Sequence, residues 1–343
     1  MGKKQITWAQ FKVSGFKIVD LLTPALKLVK LLSHFETSVV LMKRTYILAI
    51  VLFFGCKEKN KDFNTEKGHN KTIIADTYEL IKSNDSRVLL IVFPGGGATS
   101  KETKENFNIV ENATGNSFSV LLMNFNRHLW INEEDSEKLS ADIKTIIEQN
   151  DLNTEKIFIG GISIGGTVAI TIANYLSKSN SSIEPNGVFV VDSPIDLYAL
   201  YQSSQKDILR KDFSEERLSE PKFIIRYFEE EFGRSDTLLT NIQKVSPITL
   251  QTRNTTNIKN LKNKKLRFYT EPDTLWWKEN RQTDFESTNA YMLQKTFEIL
   301  KSENWNNVQL VQTENKGFRA NGKRHPHSWS IVDTDDLIEW ILE

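Results

Sequence analysis

From about residue 70 onward, short runs of apolar residues alternate with stretches in which apolar residues return three and four positions apart. The runs fall at 88–93, 119–123, 156–159, 187–191, 266–269 and 308–311. Most are rich in Val, Ile, Leu and Phe without polar alternation, as expected of strands covered on both faces. Stretches 134–148, 166–177 and 287–302 carry the helical spacing. This strand–helix–strand alternation predicts an α/β domain over 71–343, with a mostly parallel sheet and helices on both sides. The stretch 198–262 breaks the rhythm. It is highly charged, has helical patterns at 206–217 and 221–232, and then turns rich in Asn, Thr and Lys. It reads as an inserted helical cap, since long excursions from compact domains tend to be functional lids.

The first 70 residues follow another pattern. Met42-Lys43-Arg44 is a short basic start, Tyr46 to Phe54 is continuously apolar, and Gly55-Cys56 closes the segment before a polar linker at 57–70. Nine apolar residues are too few to span a bilayer, which takes about 20, but they fit the apolar core of a secretory signal. A small residue followed by the chain's single cysteine resembles a bacterial lipoprotein signal over 42–56, with Cys56 as the lipidated residue. That implies export and a membrane anchor in the cell envelope; a buried helix in a cytoplasmic protein is the alternative. Residues 1–41 contain an amphipathic stretch at 18–32, and read either as a non-native extension ahead of a start at Met42 or as a membrane-surface helix.

Composition narrows the classes. The 343 residues are 39% apolar and 26% charged, so a folded core is affordable and wholesale disorder is excluded. Lys+Arg and Asp+Glu are both 44. A nucleic-acid binder normally carries a clustered basic excess, so no nucleic-acid partner is expected. The balance hides an asymmetry: residues 1–55 hold eight basic and two acidic residues, leaving the remainder acidic. One cysteine permits no intramolecular disulfide and no cysteine-based zinc cluster.

Gly161-Ile162-Ser163-Ile164-Gly165-Gly166 follows the apolar run 156–159 and opens a helical pattern. A serine with glycine two before and two after, at a strand-to-helix turn, has the form of a nucleophile elbow. The turn is sharp, and the serine would stand at a helix N-terminus, where free N–H groups favour developing negative charge. Phe93-Pro94-Gly95-Gly96-Gly97-Ala98 follows the run 88–92 and would let backbone N–H groups approach a substrate oxygen. A phosphate cradle is disfavoured, because neither Gly-Lys-Ser/Thr nor G-x-G-x-x-G is present.

With these motifs the chain resembles the α/β-hydrolase family of serine esterases, lipases and peptidases, over about residues 85–343. The resemblance implies an α/β-hydrolase fold and a triad in the chain order Ser, acid, His. It puts the acid after the strand that follows the cap, where Asp273 is the first choice and Glu271 the second. It puts the base after the last strand, among His325 and His327. Pro326 holds His325 in extended geometry, whereas His327 lies beyond it where the chain can turn, so His327 is the expected base. The oxyanion donors would be the N–H groups of Ile164 and Gly96. Pro94 stands where the family usually has a histidine before these glycines, and the interval from Asp273 to His327 is longer than many members show. His128 reads as a surface or structural residue that could line the pocket. Trp130, Trp276, Trp277 and Trp329 follow predicted strands or the acid and base, and are candidate pocket walls.

The expected function is therefore a serine hydrolase acting on a carboxylic ester through an acyl-enzyme on Ser163, with no cofactor and no metal. Its substrate would be a small-molecule or polysaccharide ester, with a short acyl group on a carbohydrate or aryl alcohol suited to the aromatic faces. A serine peptidase of the same fold and a non-catalytic ligand-binding lipoprotein are the alternatives.

Overall fold

The computed structural model describes residues 70–343, apart from 179–182 and 235. The signal-like segment, Cys56 and residues 1–41 lie outside the described residues. Among the described residues no helix is long and apolar enough to cross a membrane.

Eight strands form one sheet in the order β1-β2-β4-β3-β5-β6-β7-β8. β1 (Lys71–Ile74) and β2 (Tyr78–Lys82) are antiparallel additions at one edge, and β2 also pairs antiparallel with β4 (Phe118–Met123). Neither β1 nor β2 stands out as an apolar run, and β1 has an exposed pattern typical of an edge. The rest is parallel: β3 (Val88–Phe93), β5 (Lys156–Ile162), β6 (Gly187–Val191), β7 (Lys265–Thr270) and β8 (Val308–Gln312). β3, β4 and β6 are buried at every position, which is why they read as unbroken apolar runs.

Alternate residues of each central strand feed two cores. Leu89, Ile91 and Phe93 point to one side, where α3 (Glu133–Gln149), α4 (Ile164–Lys178) and α9 (Asn289–Ser302) pack. Val88, Leu90 and Val92 point to the other, against α2 (Ile109–Gly115) and α10 (Thr334–Leu342). The short α1 (Ser100–Asn106) follows the glycine loop and is held by a capping box between Thr99 and Glu102.

The insertion divides in two. Helices α5 (Leu197–Ile208), α6 (Glu215–Phe232) and α7 (Asp236–Ile242) pack around a third cluster that includes Trp130 and Ile164. Beyond them Ile248, Ile258 and Leu261 belong to the main core, and Ile248 bridges Asp196. The later part of 198–262 is thus domain wall rather than cap. α8 (Thr274–Arg281), which the apolar pattern did not reveal, follows β7 directly.

Candidate active site

β5 ends at Ile162, α4 begins at Ile164, and Ser163 forms the turn with φ at +56°. That left-handed conformation is costly for a non-glycine residue and persists only where its surroundings enforce it. The enforcement is visible. Ser163 N–H donates to Val191 O at 3.0 Å, and Gly166 N–H donates to Ser163 O at 3.0 Å. A Cβ on Gly161 would lie 2.3 Å from Gly165 O, and one on Gly165 would lie 2.2 Å from Pro94 O. Both positions need hydrogen because backbone passes against backbone. Ser163 itself is only partly buried between buried neighbours.

The glycine loop packs on this elbow. A Cβ at Gly95 would stand 3.6 Å from Ser163 Cβ. Gly97, at φ +73°, donates its N–H to Asn126 O at 3.0 Å, and Ala98 N–H donates to Gly95 O at 3.1 Å. The Asn126 amide in turn donates to Ala98 O. Among the described residues no acceptor takes the N–H of Gly96 or Ile164. Both donors are therefore available for an oxyanion beside Ser163.

The histidine loop brings His327 to Asp192. His327 Nδ1 lies 2.6 Å from Asp192 Oδ2. A carboxylate only accepts, so Nδ1 carries the proton and Nε2 is left as the free base nitrogen. Asp192 follows the last residue of β6, one position after the Val191 that accepts from Ser163. It is buried, with φ at +40°, and its Oδ1 accepts from Thr270 Oγ1 at 3.1 Å. Its N–H donates to Tyr269 O at 2.8 Å and its carbonyl accepts from the Asn289 amide at 2.8 Å. Both carboxylate oxygens and both backbone polar groups of Asp192 are thus engaged.

Asp273, the acid expected from the chain order, does not meet His327. Its Oδ1 caps α8 by accepting from Trp276 N at 2.9 Å, and its Oδ2 pairs with Arg324 at 2.7 Å. Glu271, the second choice, is buried and also pairs with Arg324. Its Oε2 accepts from Thr313 Oγ1, Lys316 N and Gly317 N at 2.9, 2.9 and 3.0 Å, pinning the start of the histidine loop. The family order points to the strand after the insertion and so passes over Asp192, at the end of β6. The available signal was an Asp at the end of an unbroken apolar strand, in Val191-Asp192-Ser193-Pro194.

His325 shares the loop in a different role. Its Nδ1 accepts the His327 N–H at 3.2 Å, so that nitrogen must stay unprotonated. Its ring lies 4.6 Å from that of Trp276 and 5.8 Å from that of Trp277. Burial, reinforced by Arg319, His327, Arg281 and Arg324, pushes its pKa down to about 2. Of the other candidates, Trp329 is stacked on Phe107 at 4.2 Å within the core. Trp130 is buried in the cap cluster against Tyr227, Phe228 and Phe232. His128 stacks on Phe125 at 4.4 Å and lines a cavity of about 400 Å³ with Asp76, Asn124, Asn126 and Arg127, apart from Ser163, Asp192 and His327. Of these candidates, Trp276 and Trp277 are the ones whose rings stand against His325. Among the described residues no group of three or more His, Cys, Asp or Glu side chains gathers as a metal site requires.

No family model matches the chain, and no curated protein matches it in sequence. Solved structures do. A fluorophosphonate-binding serine hydrolase F of Staphylococcus aureus, substrate bound, aligns with a TM-score of 0.50 at 12% identity, over 80% of this chain and 98% of that one. The chain has the α/β-hydrolase fold. An esterase of Pyrococcus furiosus also aligns, at 17% identity over 83% of this chain and 92% of that one, with a TM-score of 0.47. One of two esterases from Rhizomucor miehei gives 13% identity, 80% of each chain and 0.45. Within the α/β-hydrolase fold, Ser163, Asp192 and His327 come from the loops after β5, β6 and β8 at the C-terminal edge of the parallel strands.

Proposed function

We propose that this chain is a serine hydrolase that cleaves a carboxylic ester through an acyl-enzyme. The observation that carries the reading is the His327–Asp192 contact at the same sheet edge as the strained Ser163. Ser163 Oγ attacks the acyl carbonyl while His327 Nε2 takes its proton, and Asp192 stabilises the imidazolium that forms. The N–H groups of Ile164 and Gly96 receive the negative charge on the carbonyl oxygen. The imidazolium then gives its proton to the leaving alcohol. Water, activated by the same Nε2, hydrolyses the acyl-enzyme and restores Ser163.

A short acyl group on an aromatic or carbohydrate alcohol is the favoured substrate. Its support is the pair Trp276 and Trp277, whose rings stand against His325 on the histidine loop. The same reading keeps a lipid anchor at Cys56 and a place in the cell envelope. A fluorophosphonate probe tests the chemistry: it should label the wild type and leave Ser163→Ala unlabelled. No labelling of the well-folded wild type would favour a ligand-binding protein that uses the fold without catalysis. Peptide hydrolysis is separated by assaying 4-nitrophenyl esters beside aminoacyl 4-nitroanilides.

A further inference from the structure

The cavity of about 400 Å³ that His128 lines shares a wall with the glycine loop, and the reaction above makes no use of it. Its size is that of an ordinary small-molecule site. Three segments form it: the turn between β1 and β2 supplies Asp76, the start of α1 supplies Thr99, and the loop after β4 supplies the rest. Asn124 ties them together. Its amide nitrogen donates to Asp76 O at 3.0 Å, its Oδ1 accepts from Ser100 N at 2.6 Å, and its N–H donates to Thr77 O at 2.8 Å. Asn126 fastens the glycine loop through Gly97 N and Ala98 O. The walls are thus held in place by the protein's own bonds.

The lining has one apolar side chain, Phe125, whose ring stacks on His128 at 4.4 Å. Among the described residues the Asp76 carboxylate, the Arg127 guanidinium, the His128 ring nitrogens and Asn126 Oδ1 make no hydrogen bond. An acyl chain laid here would take water from these groups and return nothing. Asp76 and Arg127 are exposed, so water balances each charge and the ligand need bring none. An anion would meet Asp76 and a cation would meet Arg127. Burial holds the pKa of His128 below its usual value, so at pH 7 its ring is neutral and presents one donor and one acceptor. A neutral ligand with several hydroxyls, each able to donate and accept, matches this set.

The cavity lies within reach of the nucleophile. A Cβ at Gly95 would stand 3.6 Å from Ser163 Cβ, and Gly97 is bonded to Asn126 in the cavity wall. Two peptide units separate these glycines, at most about 7.6 Å between Cα atoms. Residues 95, 96 and 97 are all glycine and Gly96 is exposed, so along this stretch no side chain stands between Ser163 and the cavity. We propose that the cavity receives the alcohol half of the substrate, a neutral sugar ring, so that the enzyme deacylates an O-acyl saccharide. The proposal rests on the serine-hydrolase reading and selects a carbohydrate over an aryl alcohol. Ser163 Oγ bonds to the acyl carbon as the bond to the sugar oxygen breaks, and that oxygen takes the proton from His327. Water then releases the free acid.

The test compares kcat/KM for methyl 6-O-acetyl glucoside, galactoside and mannoside with that for cyclohexylmethyl acetate, a ring of similar size without hydroxyls. At least one sugar ester should exceed it by about tenfold or more, the scale of one or two net hydrogen bonds. Asp76→Ala/His128→Phe keeps an aromatic ring against Phe125 and removes two partners. It should bring the ratio to about one through KM, while turnover of 4-nitrophenyl acetate stays as in the wild type. Saturation-transfer NMR on Ser163→Ala reads binding without turnover: the preferred sugar ester should give a signal that the added double substitution abolishes. No sugar ester above the cyclohexyl ester overturns the proposal, as does an advantage that survives the double substitution. Fluorophosphonate labelling and 4-nitrophenyl acetate turnover without a sugar preference sink the proposal alone. Absent labelling and turnover, with the NMR signal present and lost in the double variant, sink the catalytic reading and leave the saccharide site standing.

Discussion

Two non-glycine residues of the site, Ser163 and Asp192, hold positive φ, at 56° and 40°. Asp tolerates this region better than most residues, whereas Ser163 is kept there by the glycines that let the chain fold tightly around it. Asp192→Asn keeps the shape but cannot hold the Nδ1 proton, so kcat should fall by about 10³–10⁴-fold. Asp273→Ala should instead cost about 1 kcal/mol of stability through the lost helix cap, with a far smaller loss of turnover. If the two variants show the reverse pattern in turnover and urea denaturation, the acid is wrongly assigned. His325 makes a pH prediction. Its folded pKa, about 2, lies far below the ordinary 6.5. The unfolded chain therefore takes up a proton as pH falls through 6.5 while the fold resists until about 2. The stability held by neutral His325 is complete above pH 6.5 and drains away as pH drops toward 2. Thermal melts between pH 8 and pH 4 should fall more steeply for the wild type than for His325→Gln; parallel curves would refute this.

The histidine loop owes its path to β7 as much as to β8. Glu271, just past β7, gathers Thr313, Lys316, Gly317 and Arg324, and Arg324 in turn donates to Gly317 O at 2.8 Å and joins Asp273 at the head of α8. A buried carboxylate with this many partners is costly to replace, because its removal leaves a cation and backbone donors facing an uncharged group. Glu271→Gln should lose about 2–4 kcal/mol, with Arg324's partial exposure setting the lower end. It should lower kcat as well, because the segment carrying His327 loosens. Denaturation midpoints and ester turnover measured together check this: a stable variant with normal kcat would show that the loop does not depend on Glu271. The cap is a second such element. Trp130 packs there against α6, so its truncation acts on packing before it acts on the substrate.

Across the whole molecule, the parallel strands bring the loops after β3, β5, β6 and β8 to one edge, where ligands of open α/β sheets bind. Helices α5–α7 pack on Ile164, the residue after Ser163, and are tied to the end of α8 through Arg210 and Arg217. The anchor proposed at Cys56 is read outside this domain. Mass spectrometry of the membrane fraction should find an acylated Cys56 peptide, and Cys56→Ala should move esterase activity to the soluble fraction. A native N-terminus at Met1 in a soluble protein would contradict export.

Several features were legible before any tertiary contact was known. The central strands are apolar at every position because both faces are covered, and that leaves an unbroken run in the chain. Ser163 carries a signature set by local sterics, since backbone approaches of 2.2–2.3 Å to a Cβ at Gly161 and Gly165 admit only glycine, and in the loop after β3 Gly97 takes a left-handed φ of +73°. His327 was singled out by the proline that constrains its neighbour. The identity of its partner was of another kind. Asp192 and Asp273 both stand in polar turns after core strands, and only the lateral order of β5 beside β6 puts one of them next to Ser163. The His327–Asp192 bond joins residues 135 apart, and no local pattern encodes a separation of that kind. Trp130 and Trp329 failed as pocket markers for the same reason: an indole looks alike in sequence whether its neighbours cover it, as for these two, or stop short of it, as at Trp276. Propensity and sterics act over a few residues and are written in the chain. Which polar groups meet, and which aromatic faces stay open, is decided by how the finished layers stack.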